Sequence, residues 1–331
     1  MNQNNVEPSI VQRKGISSFS SCIQRILNSG FFLGIVCAVF YSVASIYLRK
    51  LTELDSPYAL TMFLKESVAS LFALPFVLFG LFRGTVSLKQ WRLWVLMFTI
   101  AVIMQIFGNL GTLAMFTAAG IAISLSCIWS GGLLAGQLFD LVCIKEKFRP
   151  MLFVALLVVI LAVCCIGVGL GLRSETSSAA MRLSFWGTIG IVLSGLIIGT
   201  INSLDMAAIK YSAQYQVPFW VPILLVPGAG TVVLGAYCFW LYGGEIASVL
   251  SFEQLRCILF AGVTNLIAFC ALVKGLDKCP IAFMNLMNAA QIAIGALAGI
   301  FWFNEPTNVY IYIGIGLTIV AIFLANRPKE S

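Results

Sequence analysis

The residues of this chain with the types and spacing to do chemistry are few, and they lie inside long apolar runs. The sharpest are Lys65 and Glu66, which stand eight and nine residues past Pro57. At about 1.5 Å per residue that is about 12 Å into a helix. A charge near the bilayer centre costs roughly 2.5–3.5 kcal/mol by insertion scales, so it normally faces a cavity or a partner. Adjacent helical residues point about 100° apart. The two are therefore expected not to clasp each other from one face, one turning to a cavity and the other to a neighbouring helix. A structural ion pair with another span is the alternative.

Asp205 follows Asn202 at i+3, so both lie on one helix face, suited to binding a polar group or exchanging a proton. Its alternative is an interfacial pairing with Lys210. Asn285, Asn288 and Gln291 recur at i, i+3 and i+6, within about 120° on one side of a helix. Three amides offer donors and acceptors without charge, a surface for hydroxyls, carboxylates or base edges. Interhelical hydrogen bonding is the competing use. Trp129 is placed to stack on an aromatic or sugar face. Gln105 and Asn109 form an i, i+4 pair, and Asn265 occupies the matching place later in the chain. For these, helix packing is the alternative to a site. Glu66 and Asp205 are the mid-run carboxylates open to proton coupling, with Asp140 nearer a run's end.

Other chemistries lack their residues. The chain contains no His, and most of its Cys sit inside apolar runs as small hydrophobes, without Cys-x-x-Cys spacing. No metal site or cofactor is expected. An enzyme acting on lipid would need His with carboxylates, or a metal, at the interface. A receptor or assembly subunit remains as a non-transport alternative.

The elements that carry these residues follow from composition. Of the 331 residues, 60% are hydrophobic and 10% charged, against about 25% charged in soluble domains. A bilayer core takes about 20 apolar residues per helix. Ten runs fit: 31–49, 58–82, 92–115, 120–143, 151–172, 185–207, 218–242, 254–273, 280–303 and 308–326. Runs such as 151–160 are apolar on every face, unlike the alternating strands of a membrane barrel. The expected class is an all-α membrane protein. Its expected parts are a polar tail (1–30), a first five-helix unit (31–172), a polar linker (173–184), a second five-helix unit (185–326) and a short end (327–331).

With the tail in the cytoplasm, fourteen Lys and Arg fall on that side and five on the other, apart from Lys65. This bias predicts both termini inside. The net charge of +7 is thus topological and gives no reason to expect nucleic acid. The parts also repeat in order. Gly34-Ile-Val36 opens the first run and Gly190-Ile-Val192 the sixth, while Glu146 and Glu305 close the fourth and ninth, 112 and 115 residues later. Asn109-Leu110 matches Asn265-Leu266, and Gly136 and Gly295 each precede their Glu by ten residues. Five is odd, so the second unit enters the membrane inverted, the arrangement that lets a carrier alternate its access.

The chain resembles the drug/metabolite transporter superfamily, specifically EamA-like carriers with two five-helix repeats. The resemblance rests on Gly108-Asn-Leu-Gly-Thr-Leu-Ala-Met-Phe-Thr-Ala-Ala-Gly120, Lys145-Glu-Lys-Phe-Arg-Pro150, Ala271-Leu-Val-Lys-Gly275, Asn304-Glu-Pro306 and Gly314-Ile-Gly-Leu-Thr318. Where many relatives carry a Pro in the fourth span, this chain has Ile128-Trp-Ser-Gly-Gly132, and the ninth span has no Pro either. The resemblance implies a secondary carrier of a small organic solute in the plasma (inner) membrane. It also implies a cavity lined by the first, third, fourth, sixth, eighth and ninth spans. The expected partners are that solute and the lipid bilayer, with a homodimer left open. An amino acid, sugar or nucleoside-like solute is one expectation; a broad exporter of amphipathic compounds is the other. Glu146 and Glu305, beside Pro150 and Pro306, are read as helix-start caps. Gly132-x-x-x-Gly136 and Gly295-x-x-x-Gly299 are read as close helix packing.

Overall fold

The protein is described here by a computed structural model covering residues 29–145, 150–174, 185–303 and 309–325. Helix α1 is Gly30–Glu53, opened by Ser29, whose Oγ accepts the Phe32 N–H at 3.1 Å. Then follow α2 Tyr58–Phe82, α3 Trp91–Ile121 and α4 Ile123–Val142, and α5 Pro150–Ser174. The second series is α6 Phe185–Gln214, α7 Trp220–Tyr242, α8 Phe252–Leu276, α9 Ile281–Trp302 and α10 Val309–Ala325. No strand occurs among the described residues.

Eight of these helices are long and apolar enough to cross a bilayer, and α5 and α10 carry shorter apolar stretches, Phe153–Ala162 and Tyr312–Ala321. Helices satisfy every interior backbone group within the segment, which hydrocarbon demands. The chain is a multi-pass, all-helical integral membrane protein. Pro150 opens α5, where its missing N–H costs nothing. Glu146, Glu305 and Pro306 lie outside the described residues.

Local structure departs from the sequence reading in five places. Helices α1 and α6 continue to Glu53 and Gln214, past their apolar runs and through their charged ends. Between α3 and α4 there is no loop: the chain turns at Gly120, φ 77° and ψ 170°, a conformation available essentially to glycine alone. Within α3, Met104–Asn109 winds as a π-helical turn, and the regular pattern of α9 is interrupted at Ala289, between Ile281–Asn288 and Ala290–Trp302, without any proline.

Helices of the two series interleave. Helix α1 packs along α8, and α6 packs along α3 and α4; α2 pairs with α7, α5 with α10 and α4 with α9. The tightest crossing joins α4 to α6. A Cβ added at Gly131 would overlap the Leu196 carbonyl oxygen, and one at Gly199 would overlap that of Ile128. Small residues thus bring two backbones into contact.

Polar ties hold the helix ends. Gln254 Nε2 donates to the Leu54 carbonyl at 2.8 Å, just past α1, and Gln90 Nε2 donates to the Tyr215 carbonyl at 2.9 Å, just past α6. Asp140, late in α4, accepts the Ile281 and Ala282 N–H groups at 2.9 and 2.8 Å and so caps α9. Lys210 Nζ donates to the Cys279 carbonyl at 2.6 Å beyond the end of α8.

Candidate binding cavity

A cavity of about 130 Å³ lies where the two series meet. Its wall includes Lys65 and Glu66 from α2, Gln105 and Asn109 from α3, Trp129 from α4, Asn202 and Asp205 from α6, Asn265 from α8 and Gln291 from α9. Helix α1 adds Tyr41 and Ser45, and α7 adds Val226 and Pro227. Helices α2 and α7 therefore join the six expected to line it. Lys65 and Glu66 give α2 a polar contribution, and α7 offers the Val226 backbone carbonyl to Gln105 of α3.

One part of the wall is closed on itself. Lys65 Nζ lies 2.8 Å from Glu66 Oε1, both side chains being about 4% exposed. This corrects the expectation that neighbours on one helix could not clasp: the lysine stem is long enough to span the angle between them. Asn109 Nδ2 donates to the same Glu66 oxygen at 3.0 Å and to Gln105 Oε1 at 2.7 Å, and Gln105 Nε2 donates to the Val226 carbonyl at 3.0 Å. Both amides sit in the π turn of α3, a local irregularity that recurs at functional sites.

The other part is open. Asp205 lines the cavity at 4% exposure; its Oδ1 has no partner, and it pairs with neither Lys210 nor any other described cation. Asn202 Oδ1, Trp129 Nε1 and Gln291 Nε2 are likewise buried without partners. An unsatisfied buried polar atom costs about 1–3 kcal/mol, and such atoms in a cavity wall are commonly completed by solvent or a ligand.

The three amides of α9 do different things. Asn285 is fully buried outside the cavity wall and donates through Nδ2 to the Gly132 carbonyl at 2.7 Å and to Ser203 Oγ at 2.8 Å. It ties α9 to α4 and α6. Asn288 is also fully buried off the cavity, beside the Cys37 thiol of α1. Gln291 alone of the three reaches the wall, beyond the interruption at Ala289. Tyr41 is a wall residue that the sequence reading did not single out; a polar aromatic midway along the first apolar run was the available signal.

Among the described residues, no group of three or more Cys, Asp or Glu is placed to hold a metal ion. No protein-family model matches the chain, and no curated protein matches it. Solved structures do match. A crystal structure of one protein superposes with a TM-score of 0.65, over 90% of this chain and 96% of that chain, at 18% sequence identity. The shared property is the fold.

Proposed function

We propose that this protein is a secondary carrier moving a small polar organic solute by alternating access, with ten spans in two inverted five-helix units, as in the EamA-like drug/metabolite transporters it resembles. The observation that carries the reading is the cavity between the two series, walled by both and holding buried polar groups without partners. Carriers with inverted repeats bind at such a junction.

The packing supports the repeat. Exchanging each helix for the one five places along the chain turns the α1–α8 contact into α6–α3 and the α1–α9 contact into α6–α4, while α2–α7, α4–α9 and α5–α10 return to themselves. Gln254 on Leu54 and Gln90 on Tyr215 are the same tie made once by each unit. A plasma-membrane location with both termini in the cytoplasm accords with the Lys and Arg bias of the loops.

Met62, Met104, Met206 and Phe269 also line the cavity and favour, as a second reading, an exporter of amphipathic compounds, since Met adapts to varied apolar shapes. Thermal unfolding of the purified protein against amino acids, sugars, nucleosides and amphipathic drugs separates the two, because a ligand of the folded state raises its stability. A polar hit that also exchanges across proteoliposome membranes is the expected result. Stabilisation by drugs alone favours the exporter, and a polar hit without exchange contradicts the carrier.

A further inference from the structure

Charge in the cavity is unevenly matched. Its wall carries Lys65, Glu66 and Asp205. Lys65 and Glu66 are joined at 2.8 Å, and Asn109 holds the same glutamate oxygen at 3.0 Å. Asp205 is left over, 4% exposed, with no hydrogen bond or ion pair among the described residues. With all three ionised, the wall bears one net negative charge. A carboxylate so buried is strongly disfavoured unless a cation meets it.

The neutral groups of the wall add both donors and acceptors. Asn202 Oδ1, one turn before Asp205 on α6, accepts hydrogen bonds; Trp129 Nε1 on α4 and Gln291 Nε2 on α9 donate them. Asn202 and Gln291, being amides, each also carry the opposite group, so the wall beside Asp205 offers acceptors and donors together. Donors would repel a bare metal cation, so the complementary solute carries both characters. We propose that the cavity binds a protonated organic amine that also bears an oxygen acceptor, Asp205 and Asn202 taking the ammonium N–H groups and Trp129 and Gln291 donating to the oxygen. Amino acids and hydroxylated amines have this pattern. Uncharged sugars and simple carboxylates do not. The inference rests on the carrier reading in one respect, that this cavity is the solute site.

The test uses the purified full-length protein and two matched trios, ethanolamine, ethylene glycol and glycolate, and tyramine, tyrosol and para-hydroxyphenylacetate, with sodium chloride as the inorganic cation. Thermal unfolding is followed as each is titrated. The expected result is stabilisation by the amine of at least one trio and not by its neutral or anionic members. Asp205→Asn should weaken that amine roughly tenfold to hundredfold, the usual size of a charged hydrogen bond, while Asp205→Glu retains binding. The proposal is overturned if no amine stabilises, if neutral or anionic members match it, if Asp205→Asn binds it undiminished, or if sodium alone reproduces the effect. Should Asp205→Asn not fold, Asn202→Ala decides: unchanged amine affinity also overturns it. Proteoliposome exchange separates the two ideas. Amine binding through Asp205 without exchange contradicts the carrier and leaves the amine site; exchange of an uncharged solute indifferent to Asp205→Asn does the reverse.

Discussion

The two sides of the cavity spend their polar groups differently. On α2 and α3, Lys65, Glu66, Asn109 and Gln105 close into one network that ends on the Val226 carbonyl of α7. On α6 and α9, Asn202, Asp205 and Gln291 each present an atom with no partner, joined by Trp129 of α4. A closed network fixes the shape of its wall, because every member is held. An open one leaves buried polar atoms that solvent or a ligand can satisfy. On the proposed carrier reading, the first five helices would serve mostly as frame and the second five, with Trp129, mostly as contact surface.

The largest expected effect comes from opening the closed side. Lys65→Met leaves Glu66 buried without its counter-charge and should cost about 3–5 kcal/mol in unfolding free energy, whereas Asp205→Leu removes a charge that had no partner and should leave stability unchanged or raised. Denaturant unfolding of the two variants in one detergent measures this. Equal losses would break the contrast between the sides.

Next in size is the helix crossing. In Gly199→Ala the new Cβ meets the backbone of Ile128, which cannot swing aside, while in Gly34→Ala it meets the flexible side chain of Met287 at 2.6 Å. Overpacking a rigid neighbour costs about 1–3 kcal/mol, so Gly199→Ala should lower the unfolding temperature clearly more than Gly34→Ala. The reverse order would show that the α1–α9 crossing is the stiffer of the two.

The smallest effect sharpens the repeat. Gln90→Ala and Gln254→Ala each delete one tie to the chain just past a helix, worth about 0.5–1.5 kcal/mol. Gln254→Ala should cost the more, because Gln254 also closes a capping box with Ser251. A loss in only one of the two would argue against their equivalence.

Much of the fold was legible from composition, because an apolar run of bilayer length has few options other than a helix. The set of polar residues at membrane depth was legible for the same reason: each is costly there, so each stands out. What they touch was not. Whether Lys65 reaches Glu66 depends on rotamers and on Asn109, far along the chain. That Asn285 turns to Gly132 and Ser203 rather than to the cavity depends on how α9 lies against α4 and α6. Gly131 and Gly199 matter only because their helices cross at that point, a fact of tertiary packing. Gly120 read as the first residue of the fourth apolar run, yet its positive φ makes it the turn between α3 and α4.

The most direct measurement is the accessibility of the cavity from each side of the membrane. Asn202→Cys, in a chain otherwise free of cysteine, is exposed to a small membrane-impermeant cationic methanethiosulfonate in right-side-out and inside-out vesicles. A carrier that alternates access predicts modification from both faces, slowed by a bound solute. Modification from one face alone, with or without solute, would contradict it.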